Sequence, residues 1–107
     1  MSKNGGTTSM KIIKTVNESN LILELDGKLD ARNAPEFRRC AESSLDGITT
    51  ITLNFAKLTY MSSVGLSIIL TLKKKLGPKG TLQIINARGL VREVFEISGF
   101  DDLLVKE

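Results

Sequence analysis

The sequence predicts an α/β domain built on a mixed, largely parallel β-sheet of four to five strands packed with three or more helices. Three observations predict it. Short runs rich in Ile, Leu and Val recur along the chain, and segments with apolar residues three and four apart stand between most of them. The resulting order is β-β-α-β-α-β-α with a further short strand optional at the end. Strands joined through helices need crossover connections, so most of the sheet is expected to be parallel.

Lys11 to Val16 and Leu21 to Leu25 flank Asn17-Glu18-Ser19-Asn20, a turn-forming tetrad, and read as a hairpin. From Asn33 the period changes, and Ala34, Phe37, Cys40 or Ala41, and Leu45 fall on one helical stripe. Asn33 and Glu36 have the spacing of a capping box, and Pro35 sits in the first turn. This first helix is expected to end near Asp46-Gly47. Ile48 to Phe55 reads as a central strand, with Ile51 and Leu53 alternating with Thr50, Thr52 and Asn54. Ser63 to Leu76 reads as a second helix with Gly65, Ile69, Leu72 and Leu76 on one face, a lysine trio in its last turn and Gly77-Pro78 as a stop. Thr81 to Asn86 is a further strand. Leu90 to Ile97 is a third helix closed by Ser98-Gly99, and Leu103 to Val105 forms a short last strand or an extended tail. Residues 1–9, polar and rich in Gly, Ser and Thr, read as a flexible tail before a domain spanning 10–107.

Composition removes much chemistry. With 107 residues, 41% hydrophobic and 25% charged, the chain suits one globular domain. It has no His, so a Ser-His-Asp or Cys-His catalytic centre and an imidazole acid or base are excluded. The one cysteine, Cys40, cannot pair within the chain and reads as core filling on the first helix, and a cytoplasmic location is the default. No apolar run exceeds three residues, far short of the ~20 that a membrane span requires. Neither glycine-rich nucleotide fingerprint occurs, and no cofactor is implied. Lys73, Lys74, Lys75 and Lys79 crowd one helix end without interleaved aromatics, which favours a helix-dipole and solvation role over direct nucleic-acid binding.

The most informative stretch runs from Leu58 to Leu66, where a strand end passes into a helix start carrying adjacent hydroxyls, Ser62 and Ser63. Open backbone N–H groups and the positive end of the dipole there favour an anion, so the pair reads either as a phosphorylation switch or as a simple cap provided by Ser62 and contributing ~1 kcal/mol. Gly65, unfavourable in a helix by about 1 kcal/mol against Ala, implies close packing of the helix start on the sheet. Asp26 and Asp30 flank Lys28 and read as solvated charges rather than a metal site. Asn54 stands where a receiver-type phosphoacceptor aspartate would, and an amide forms no acyl phosphate.

These residues together resemble the STAS domain of bacterial anti-sigma factor antagonists and of sulfate-transporter tails. Leu25 to Asp30 resembles the family's G-x-[LI]-D turn, and Ile51 to Phe55 its central strand. Tyr60-Met61-Ser62-Ser63-Val64-Gly65-Leu66 is similar to its aromatic-Met-Asp-Ser-Ser-Gly-Leu signature, and Leu90 to Gly99 to its last helix. The resemblance implies a STAS-like fold that acts as ligand and substrate rather than as a catalyst. It places the phosphorylated serine on Ser63, with Ser62, in place of the family's acidic residue, as second choice, and Val64 in place of a second serine. It implies a partner face comprising Asp30, Ser62, Ser63, Val64, Gly65 and Leu66. The implied cycle is partner exchange: the unphosphorylated domain binds an anti-sigma factor serine kinase and frees a sigma factor, phosphorylation ends the contact, and a PP2C-type phosphatase restores it. The alternative is a non-switching STAS scaffold or subunit of a transporter or signalling complex.

Overall fold

The computed structural model describes residues 10–105; the expected tail, residues 1–9, lies outside the described residues. Four strands form one sheet in the order β1-β2-β3-β4: β1 (Met10–Asn17), β2 (Asn20–Leu29), β3 (Thr50–Met61) and β4 (Thr81–Ile85). The hairpin pairs β1 with β2 antiparallel, from Met10 opposite Gly27 to Asn17 opposite Asn20. The two remaining pairings are parallel, as crossover connections demand. Helices α1 (Ala34–Glu42), α2 (Ser63–Leu76) and α3 (Gly89–Ser98) supply the second layer.

Alternation along the strands decides which face the helices cover. Leu21, Leu23 and Leu25 align in register with Ile51 and Leu53 and then with Leu82 and Ile84, and all are buried. Phe37 and Ala41 of α1, Ile69 and Leu72 of α2, and Val91 and Phe95 of α3 close the core over them. The Phe55 and Phe95 rings are tilted against each other, with centroids 6.4 Å apart. The opposite face is polar and laced by hydrogen bonds: Thr52 donates to Asn20 Oδ1 (3.1 Å) and accepts from Gln83 Nε2 (3.0 Å).

Four expectations change. Helix α1 stops at Glu42, short of Asp46, because the hydroxyls of Ser43 and Ser44 both donate to the Cys40 carbonyl and close the last turn. The capping box at Asn33 is absent. Asn33 is buried, its Oδ1 accepts the Asp30 N–H (2.9 Å) and its Nδ2 donates to the Lys28 carbonyl (2.8 Å), so the side chain braces the loop ahead of α1 instead of capping it. Strand β3 begins later and runs to Met61, well beyond Phe55. At the chain end, a 3₁₀ turn over Asp101–Leu103 uses up the segment, and only Leu104 bridges to Ile84.

The extension of β3 positions the functional end of the molecule. Its register against β2 shifts twice, between Glu24 and Asp26 and between Gly27 and Lys28, and each shift places one extra residue on β3. Burial beyond Phe55 therefore falls on Leu58 and Met61, every third residue, rather than every second. Side chains stabilise both irregularities: Asn54 Oδ1 accepts the Ala56 N–H (3.0 Å), and Thr59 Oγ1 donates to the Gly27 carbonyl (3.1 Å).

Candidate functional site

The two central strands finish side by side, Leu29 opposite Met61, and the next residue on each carries a polar side chain. The Ser62 N–H donates to the Leu29 carbonyl (2.9 Å), which fixes the start of α2 beside the loop that begins at Asp30. Asp30 is half-buried, and its Oδ1 accepts the N–H groups of Arg32 (3.0 Å) and Asn33 (3.3 Å). That carboxylate therefore organises the loop next to the serine pair. Asp26, by contrast, lies back along β2 opposite Lys57 and is not part of this end.

The structure separates the two hydroxyls. Ser62 has the extended backbone of a helix cap (φ −88°, ψ 170°), yet its side chain makes no capping bond, and its Oγ is buried without a hydrogen-bond partner. Ser63, the first helical residue, is exposed. The N–H groups of Ser63, Val64 and Gly65 make no hydrogen bond among the described residues, and the first turn of α2 holds no acidic side chain. Unbonded donors and the dipole, equivalent to about half a positive charge, therefore converge beside Ser63 Oγ.

Gly65 is buried, and a Cβ there would stand 2.8 Å from Leu29 Cδ2 and 2.9 Å from Met61 Cγ. Its lack of a side chain lets α2 start directly on the strand ends, as the sequence implied, and places Gly65 beneath the surface rather than on it. Leu66 is also largely buried, and it lines an open groove of about 340 Å³ between the start of α2 and α3. Tyr60, Leu90, Val94 and Ile97 form apolar walls, and Ser63 and Glu93 add polar groups. Ile97 is 82% exposed, Leu90 63% and Tyr60 42%, an unusual concentration of apolar surface around one serine. Val64, 41% exposed, points away from this groove into another between α1 and α2.

The contribution of α3 to the site was missed in the sequence, although a signal was present. Val91 and Phe95 make the inward stripe, while Leu90, Val94 and Ile97 have the same helical spacing on a second stripe that the fold leaves uncovered. Asn54, at the end of the regular part of β3, accepts from Ala56 and from Asn86 Nδ2 (3.0 Å) and has a structural role.

A small α/β domain with an open apolar groove and an exposed serine at a helix start is arranged as a protein-binding module. Comparison with known proteins specifies which kind. The family model described as STAS domain matches residues 11–106. BtrV of Bordetella bronchiseptica, named as a proposed anti-sigma factor antagonist, is 34% identical over 93 residues, covering 85% of this chain and 80% of BtrV. The unphosphorylated form of the anti-sigma factor antagonist SpoIIAA superposes with a TM-score of 0.79 at 25% identity, over 92% of this chain and 87% of that one. An anti-sigma factor antagonist from Mycobacterium paratuberculosis shares the fold at a TM-score of 0.83 and 20% identity, over 92% and 87% of the two chains. The chain belongs to the STAS domain family, in its anti-sigma factor antagonist group.

Proposed function

We propose that this domain binds an anti-sigma factor that is also a serine kinase, and that phosphorylation of Ser63 ends the contact. The carrying observation is the position of Ser63: exposed, at the first position of α2, on the border of an apolar groove, beside a Ser62 oxygen that is buried. A kinase reaches the exposed oxygen and not its neighbour, which supports Ser63 over Ser62 as acceptor. The phosphoryl group passes from ATP to Ser63 Oγ as the hydroxyl proton leaves to a base of the kinase, and ADP departs.

The modified serine carries −1.5 to −2 charges at about pH 7 on the border of a groove that already holds Glu93. A partner that had buried Leu90 and Ile97 would then have to bury this charge among apolar groups, which is unfavourable enough to release it. No change of fold is required. In this reading Asp30, Val64 and Leu66 belong to the docking surface, while Ser62 and Gly65 support it from below. A PP2C-type phosphatase resets the domain, the kinase supplies ATP binding, and the whole exchange takes place in the cytoplasm, freeing a sigma factor.

The test is incubation with the cognate anti-sigma factor kinase and ATP. One phosphate is expected on Ser63, none on Ser63→Ala, and weaker binding of the kinase by Ser63→Asp. Wild-type protein that stays unmodified, together with a Ser63→Asp variant that binds as tightly as wild type, refutes the switch and favours a constitutive STAS scaffold.

A further inference from the structure

Ser63 and Val64 are consecutive residues on the first turn of α2, about 100° apart around the helix, and they face different grooves. The groove beside Val64, of about 510 Å³, lies between α1 and α2. Its apolar part is Pro35, Val64 and Ile68, and its charged part is Arg38, Arg39 and Glu42. Glu42 is already neutralised, bound by Arg38 (3.0 Å) and approached by Lys75 (3.7 Å). Arg39 is exposed and makes no ion pair among the described residues. On the other side of Ser63, Glu93 is the charged residue of the α2–α3 groove, and it too makes no ion pair there. The helix start is thus flanked by two grooves of opposite charge, the basic one on the side that a phosphate on Ser63 does not occupy.

We infer that the α1–α2 groove is a second docking site, one that receives an acidic, partly apolar segment of the same partner protein that phosphorylation at Ser63 displaces. The inference rests on the reading of Ser63 as the switch. Charge complementarity selects the occupant: Val64, Pro35 and Ile68 accept an apolar side chain, and the uncompensated Arg39, with Arg38 beside it, accepts a carboxylate bidentately. Because this site is set apart from Ser63, it supplies affinity that the phosphate does not abolish. It steers the kinase to its substrate and leaves the release step to the other groove.

The experiment measures binding of the cognate anti-sigma factor to the wild-type chain, Arg39→Glu, Arg39→Gln and Ser63→Asp at 50 and 500 mM salt. Reversing a charge that faces a partner carboxylate is expected to weaken binding about 10-fold or more at low salt, with a smaller deficit at high salt where the Debye length shrinks to a few ångströms. Arg39→Gln falls less and in the same direction, and a charge-reversed partner carrying Lys in place of its acid restores binding to Arg39→Glu. In phosphorylation assays KM rises for Arg39→Glu while kcat is unchanged. Arg39→Glu that binds like wild type while Ser63→Asp is weakened overturns the second site and leaves the switch standing. Tighter binding by Arg39→Glu overturns the acidic occupant. An anti-sigma factor that ignores the wild-type chain overturns the functional reading and this site with it.

Discussion

Replacement of Ser62 by Ala separates two physical descriptions of the helix start by close to 2 kcal/mol. If the hydroxyl capped α2, its removal would cost about 1 kcal/mol, the usual loss for a Ser cap. In the structure it caps nothing: Oγ is buried, accepts no N–H from the first turn, and has given up its water contacts without replacement. A buried hydroxyl with no partner carries a desolvation penalty on the order of 1 kcal/mol, which Ala removes. Ser62→Ala is therefore expected to be neutral or up to about 1 kcal/mol more stable. Urea unfolding reads the difference directly as a shift of the midpoint at constant m-value, because the substitution leaves the area exposed on unfolding almost unchanged. The same variant should accept phosphate as wild type does, since the acceptor proposed is Ser63. A loss of stability near 1 kcal/mol would show that the cap forms after all, and would refute the reasoning that distinguishes the two oxygens.

Other perturbations probe the surroundings. Gly65→Ala gains about 1 kcal/mol of helix propensity but drives a methyl to within 3 Å of Leu29 and Met61; with overpacking costing about 1–3 kcal/mol, a net loss of about 1 kcal/mol is expected in thermal or urea unfolding. Asn33→Ala leaves the Asp30 N–H and the Lys28 carbonyl without their partner and should destabilise by about 1–3 kcal/mol, with a faster amide exchange at Asp30 measured by NMR. Ile97→Lys, at a position that is mostly solvent-exposed, should change stability by no more than about 0.5 kcal/mol yet weaken partner binding about 10-fold, as titration calorimetry would show.

The sequence was most legible where one period ran uninterrupted. Helix α2 occupies Ser63–Leu76, as its apolar spacing and Gly77-Pro78 stop predict, and the hairpin closes at Asn17 and Asn20. Legibility failed where side chains took over backbone bonds. Ser43 and Ser44 ended α1 early, Asn33 turned inward to brace a loop, and Asn54 and Thr59 stabilised irregularities that hid the second half of β3 behind a period of three. At the site, the serine pair and Gly65 could be located from their neighbours in the chain. That Ser62 points inward and Ser63 outward depends on how α2 departs from β3, a tertiary angle that no local pattern encodes. The groove walls on α3 come from about thirty residues further along and meet Ser63 only in the fold.

The amide of Asn54 ties the first irregular peptide of β3 to Asn86 at the exit of β4, seven residues before the chain reaches Met61. Every residue beyond it inherits its direction from that knot. A protein altered only at Asn54 would retain its acceptor hydroxyl and its overall architecture, but would present that hydroxyl at the wrong angle. Signalling-defective alleles should therefore be sought in the middle of the sheet as well as at the modified end.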